Sequence, residues 1–113
     1  MDLALVTLGD RVMLKISLLD SPRQRRVIVE GKLIAPLAAE LRNVCRQARV
    51  DLRGRELIVE MKHVTNISRE ARDVILELIN AGIRFRSEGV FTKHVLKELS
   101  RCARRNLETR PGG

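Results

Sequence analysis

Val64-Thr65-Asn66-Ile67-Ser68-Arg69-Glu70-Ala71-Arg72-Asp73-Val74-Ile75-Leu76 is the stretch on which the reading of the fold turns. Ahead of it stands Glu56-Leu57-Ile58-Val59-Glu60-Met61, with Leu57, Ile58 and Val59 consecutive. A short apolar run of this kind between two helical patterns predicts a strand buried on both faces of a parallel sheet. From Ser68 the period changes, and Ala71, Val74, Ile75, Leu78 and Ile79 recur at helical spacing. Ser68 suits an N-cap and Gly82 the position just past the last helical turn. The junction therefore reads as strand, loop, amphipathic helix.

Working outward, residues 12–19 alternate, with Leu14, Ile16 and Leu18 on one face and Lys15 and Ser17 on the other. Asp20-Ser21-Pro22-Arg23 supplies a turn, and Arg26-Val27-Ile28-Val29-Glu30 a β-branched return strand. Gly31 gives the backbone freedom to leave the sheet. Leu37, Leu41, Val44, Cys45 and Ala48 predict a first helix with Pro36 in its first turn, where a missing N–H costs nothing. Ile83-Arg84-Phe85-Arg86 reads as a short strand. Thr92 is the expected cap of a last helix whose apolar face is Val95, Leu96, Leu99, Cys102 and Ala103. The expectation is one α/β domain over residues 12–103, a four-stranded mixed sheet with helices packed mainly on one face. Residues 1–11 form an N-terminal extension and 104–113 a polar, flexible tail. Leu3, Leu5, Val6 and Leu8 in the extension predict either an added edge strand, in this molecule or in the other half of a homodimer, or disorder.

The order strand, strand, helix, strand, helix, strand, helix resembles that of STAS domains, the module of sulphate transporters and anti-sigma factor antagonists. Val29-Glu30-Gly31-Lys32-Leu33 resembles that family's exit into the first helix, Leu57 through Val64 its central strand and following loop, and Gly89-Val90-Phe91 through Leu99 its last strand-to-helix passage. The resemblance covers roughly residues 12 to 103 and rests on order and spacing. In signalling members the second helix opens with Asp, a phosphoacceptor Ser or Thr, a small residue and Gly. Anchored on Val64, Ile67 and Val74-Ile75-Leu76, this chain has Ser68, Arg69, Glu70 and Ala71 at those places. Arg69 has no hydroxyl, so phosphorylation at the family position is not expected. Ser68 has two readings: a displaced phosphoacceptor beside Arg69 and Arg72, or simply the N-cap. The second requires nothing further and is preferred.

The net charge of +8 and pI of 10.7 raise the prior for anionic partners. Arg42, Arg46, Arg49 and Arg53 would form one stripe if the first helix ran that far, either an anion-facing surface or a solvated flank. Arg23, Arg25, Arg26, Arg101, Arg104 and Arg105 read as surface. The chain has no Trp or Tyr and only Phe85 and Phe91, few stacking platforms for single strands of nucleic acid. No enzyme constellation is evident. Gly31, Gly54, Gly82 and Gly89 are scattered, and Cys45 and Cys102 lie on inferred apolar faces where a thiol is inert. His63 and His94 join those thiols in no ligand spacing, so neither a metal nor another cofactor is expected. The opening Met1-Asp2-Leu3-Ala4-Leu5-Val6 has no basic n-region, no apolar run spans a bilayer, and isolated thiols suit a reducing cytoplasm.

The resemblance implies a non-catalytic bacterial interaction module whose partner is a regulatory kinase, an anti-sigma factor or a transporter subunit. Docking is expected on the second helix and its preceding loop, at Asn66, Ser68, Arg69, Glu70, Arg72 and Asp73. The alternative is a small nucleic-acid-binding domain using the arginine stripe.

Overall fold

Two long strands lie side by side and parallel at the centre of the molecule. These are β3 (Gln24–Leu33) and β4 (Glu56–Ile67), numbered in a chain order that opens with β1 (Asp2–Leu8) and β2 (Arg11–Asp20) and adds β5 (Arg84–Ser87). The computed structural model describes the backbone of residues 2–8 and 11–109 and the side chains of residues 13–103. The sheet order is β1-β2-β3-β4-β5, antiparallel across the first two pairs and parallel across the last two. Helices α1 (Ala38–Ala48), α2 (Arg69–Asn80) and α3 (Val90–Thr109) follow β3, β4 and β5 in turn. Because the strand order never reverses, right-handed crossovers put the helices on one face.

The core lies between that face and the helices. Leu14 and Ile16 of β2, Val27, Val29 and Leu33 of β3, and Leu57, Val59 and Met61 of β4 meet Leu41, Val44 and Cys45 of α1 and Val74, Ile75 and Leu78 of α2. Val95, Leu96 and Leu99 of α3 complete it. Burying each large apolar side chain contributes roughly 1.5–3 kcal/mol. The four strands and three helices are those expected from the hydrophobic pattern. The fifth strand is the expected extension, realised within this molecule: β1 pairs with β2 from Asp2↔Ser17 to Leu8↔Arg11. Gly9 and Asp10, which lie outside the described residues, are a pair that favours a hairpin turn by sequence.

Several boundaries move. Gly31 does not release the chain, and β3 continues to Leu33. Val64–Ile67 is not loop but the second half of β4, paired with Gly31, Lys32 and Leu33 through two register shifts. These shifts each place an extra residue in β4, around Lys62-His63 and Thr65, and His63 takes φ +52°. Period-2 reasoning loses a strand at such bulges. Helix α1 begins at Ala38, so Pro36 stands before it rather than in its first turn. It ends at Ala48, which leaves Arg53 in the following loop with φ +54°. Helix α3 begins at Val90, so Thr92 lies inside its first turn. There its Oγ1 donates to the Gly89 carbonyl (3.1 Å) and contacts Ser87 Oγ. Cys102 is exposed, because Ala103 one residue on takes the inward position. The described α3 backbone runs through Thr109 into the stretch expected to be a flexible tail, of which residues 110–113 lie outside the described residues.

The arginines near the first turn are not all surface. Arg25 donates through Nε to Asp20 (2.8 Å) and through Nη1 to the carbonyls of Ala48 (3.1 Å) and Val50 (3.2 Å). This joins the β2–β3 turn to the end of α1. Arg55 reaches Asp20 at 3.2 Å, and the Arg25 hydrogen bond, more than either guanidinium's charge, holds the Asp20 carboxyl below its usual range. On the face away from the helices, Arg84 meets Glu56 (2.7 Å) while Arg26 (3.1 Å) and Arg86 (3.8 Å) share Glu60. Ile58 is 1% exposed on that face, between Arg26 and Arg84 in register. Arginine stems, not a second helix layer, cover it.

Two measurements check this packing. At Gly31, φ is +113° and a Cβ would sit 2.4 Å from the Met13 carbonyl oxygen. Gly31→Ala is therefore expected to lower stability by about 2 kcal/mol or more, read as a fall in the urea midpoint at unchanged slope. Burial pushes the Cys45 thiol up to about 12, outweighing the opposing charge of Arg49. A thiol reagent at neutral pH should label Cys102 in the native protein and Cys45 only after unfolding.

Candidate functional site

The end of β4 and the start of α2 are set by three backbone and side-chain bonds. Ser68 N–H donates to the Leu33 carbonyl (3.0 Å), tying the junction to the end of β3. Ser68 then takes an extended conformation, φ −74° and ψ 169°, and its Oγ accepts the Ala71 N–H at 3.1 Å. Its carbonyl accepts the Arg72 N–H at 3.0 Å, the first bond of the helix. Ser68 is thus the N-cap of α2. At the other end Gly82 has φ +90°, with Gly82 N–H on Ile79 O (3.0 Å) and Ile83 N–H on Leu78 O (3.1 Å). This is a Schellman motif, with Leu78 and Ile83 both buried beside it. The capping signals at both ends of α2 were legible because they are local.

With Ala71, Val74 and Ile75 buried, the helix turns Arg69, Glu70 and Asp73 outward and leaves Arg72 and Ser68 half-buried. Asn66 is exposed at the end of β4. The structure therefore brings all six expected docking residues onto one end of the molecule. Glu70 and Asp73 also line a groove whose far wall is Ala35, Pro36 and Ala39 at the start of α1, with Arg42 beside them. That α1 contribution was not foreseen. The run of small residues that keeps the wall low was its only trace in the sequence.

The arginine stripe is dispersed. Arg42 pairs with Glu77 of α2 (2.8 Å), and Arg46 approaches the same carboxylate at 3.9 Å. Arg53, beyond the helix, pairs with Asp51 in its own loop (2.8 Å). Its first half is thus a bridge between helices, invisible without knowing that α2 lies alongside. Among the described residues, no group of three or more His, Cys, Asp or Glu is placed to hold a metal ion, and no helix is long and apolar enough to cross a membrane.

No protein-family model matches the chain, and neither the comparison with curated proteins nor that with solved structures returns a match.

If Ser68 serves as a cap, Ser68→Ala should cost about 1 kcal/mol in chemical denaturation while Ser68→Asp is tolerated, since Asp also caps and suits the positive end of the helix. Intact mass of protein from native cells should show no phosphate at Thr65 or Ser68. A stoichiometric phosphate at either residue would overturn the reading of Ser68 as a cap alone.

Proposed function

We propose that the chain is a non-catalytic, STAS-like interaction module of the cytoplasm, anti-sigma factor antagonist-like or an accessory subunit, that docks a protein partner on the first turn of α2. It works without phosphorylation at the family position, where Arg69 stands. The element order and the tight β4–α2 junction support the STAS-like reading. The observation that carries the docking surface is the state of its charges. Arg69, Glu70, Arg72 and Asp73 form no ion pair among the described residues; Arg25, Arg26, Arg42, Arg55 and Arg84 are tied to carboxylates, while Arg23, Arg49, Lys62 and Lys93 also form none but do not combine both signs on one helical turn. Charges of both signs, presented in alternation on a helix with a rigid cap, suit a complementary protein surface more than a polyanion. The stripe that would bind nucleic acid is interrupted, Arg42 and Arg46 facing Glu77 and Arg53 facing Asp51, which leaves Arg49 as its one member without an ion pair among the described residues.

The test is a pair of charge reversals checked for folding by circular dichroism. Arg69→Glu with Arg72→Glu should abolish capture of the partner that the unaltered protein retains from native cells. Arg46→Glu with Arg49→Glu should leave capture intact. Salt-steep binding of non-specific DNA or RNA, lost in the second pair and not the first, would overturn the proposal in favour of the basic-surface alternative.

A further inference from the structure

Helix α3 packs with one side only. Thr92, Val95, Leu96, Leu99 and Ala103 are buried against the rest of the domain. On the side away from them, Val90, Lys93, Lys97 and Arg101 follow one another at spacings of three and four residues and so form a single row. All four side chains are exposed. The row runs about 17 Å along the helix axis, at 1.5 Å per residue. None of its three cations is ion-paired among the described residues. The acids nearest in sequence are Glu98, on the flank, which faces His94 at 3.0 Å, and Glu88, which precedes the helix at the Val90 end. The row therefore keeps a positive excess that grows away from Glu88, toward Arg101. Beyond it the same helix carries Arg104, Arg105 and Glu108.

The head of this basic row is apolar. Val90 is 87% exposed and Phe91 beside it 51%, whereas Leu19 and Val50, the other large apolar side chains exposed among the described residues, stand singly. Single exposed apolar residues need no explanation, but an adjacent pair joined to a row of free cations is a mixed surface that selects its occupant. A phosphodiester backbone answers the cations and gives Val90 nothing to bury against. A second copy of the chain opposes like charges. A bilayer with anionic headgroups supplies both halves, negative charge at its surface and apolar material just beneath. The side of a helix is convex and needs no matching groove to lie on such a plane.

We propose that the outward side of α3 is a peripheral contact for anionic lipid bilayers. Lys93, Lys97 and Arg101 lie against headgroup phosphates, and Val90 with Phe91 reaches the boundary between headgroups and acyl chains. The helix rests on the membrane and does not cross it. The contact uses none of the α2 charges, so the failure of either proposal leaves the other to its own test.

The full chain is titrated with vesicles of phosphatidylcholine alone and with vesicles of equal parts phosphatidylcholine and phosphatidylglycerol, binding being read by co-sedimentation. The chain has no tryptophan, so Phe91→Trp places a single fluorescent reporter at the contact. Saturable binding is expected with the anionic vesicles only, accompanied by a blue shift of that reporter. Lys93→Gln with Lys97→Gln and Arg101→Gln should weaken binding about a hundredfold, at about fivefold for each basic residue near an anionic surface. Removing as many charges elsewhere, by Arg23→Gln with Arg46→Gln and Arg49→Gln, should weaken it less than about threefold, because charges beyond a Debye length are screened. Val90→Ser should weaken it about fivefold, with the circular dichroism of every variant unchanged. No binding to the anionic vesicles, equal binding to neutral ones, an unmoved reporter emission on binding, or equal losses from the two triple substitutions would each overturn the proposal. So would salt-steep binding to duplex DNA, lost in the α3 triple substitution, in place of vesicle binding.

Discussion

The close approach of Gly31 to the backbone of β2 is the constraint on which the rest of the arrangement depends. Gly31 sits opposite Leu14, and only a residue without a Cβ fits against the Met13 carbonyl at that φ. Because β3 can pass this point, it continues through Lys32 and Leu33 instead of leaving the sheet. Those residues carry the second half of β4, and the Leu33 carbonyl receives the Ser68 N–H. The first turn of α2 is thus aimed by a glycine more than thirty residues earlier in the chain.

The large positive charge serves the fold in ways a net value conceals. Arg25, its side chain 14% exposed, joins the β2–β3 turn to the end of α1 by bonding a carboxylate and two carbonyls. Arg42 and Arg46 connect α1 to α2 through Glu77, and Arg26 and Arg84 shield Ile58 on the sheet face that no helix covers. Exposed pairs of this sort contribute little individually, about 0–1 kcal/mol. Their larger effect here is to cover apolar surface with side-chain stems in a chain nearly devoid of aromatic residues. The four charges of alternating sign at the α2 N-terminus form no such pair among the described residues.

The α2 helix shows how much of a site is readable when the physics is local. Ser68, the buried positions Ala71, Val74, Ile75 and Leu78, and the Gly82 terminator all follow from hydrogen-bonding rules that span a few residues. The outward-facing set Arg69, Glu70 and Asp73 then follows by subtraction. The α1 wall of the neighbouring groove did not, because Ala35 and Pro36 acquire meaning only once α1 and α2 are placed side by side.

By itself the sequence determined the kinds and order of the central elements, since alternation and helical periodicity reflect which side of each element must leave water. It also determined the cap and terminator of α2, Ser68 and Gly82. Only the tertiary structure decided that β4 runs on to Ile67 through two bulges, because an extra residue in one strand is recognised solely by the register of its partner. Only the tertiary structure decided that Arg25 is a joint and Cys102 a surface thiol, since burial depends on what other elements cover.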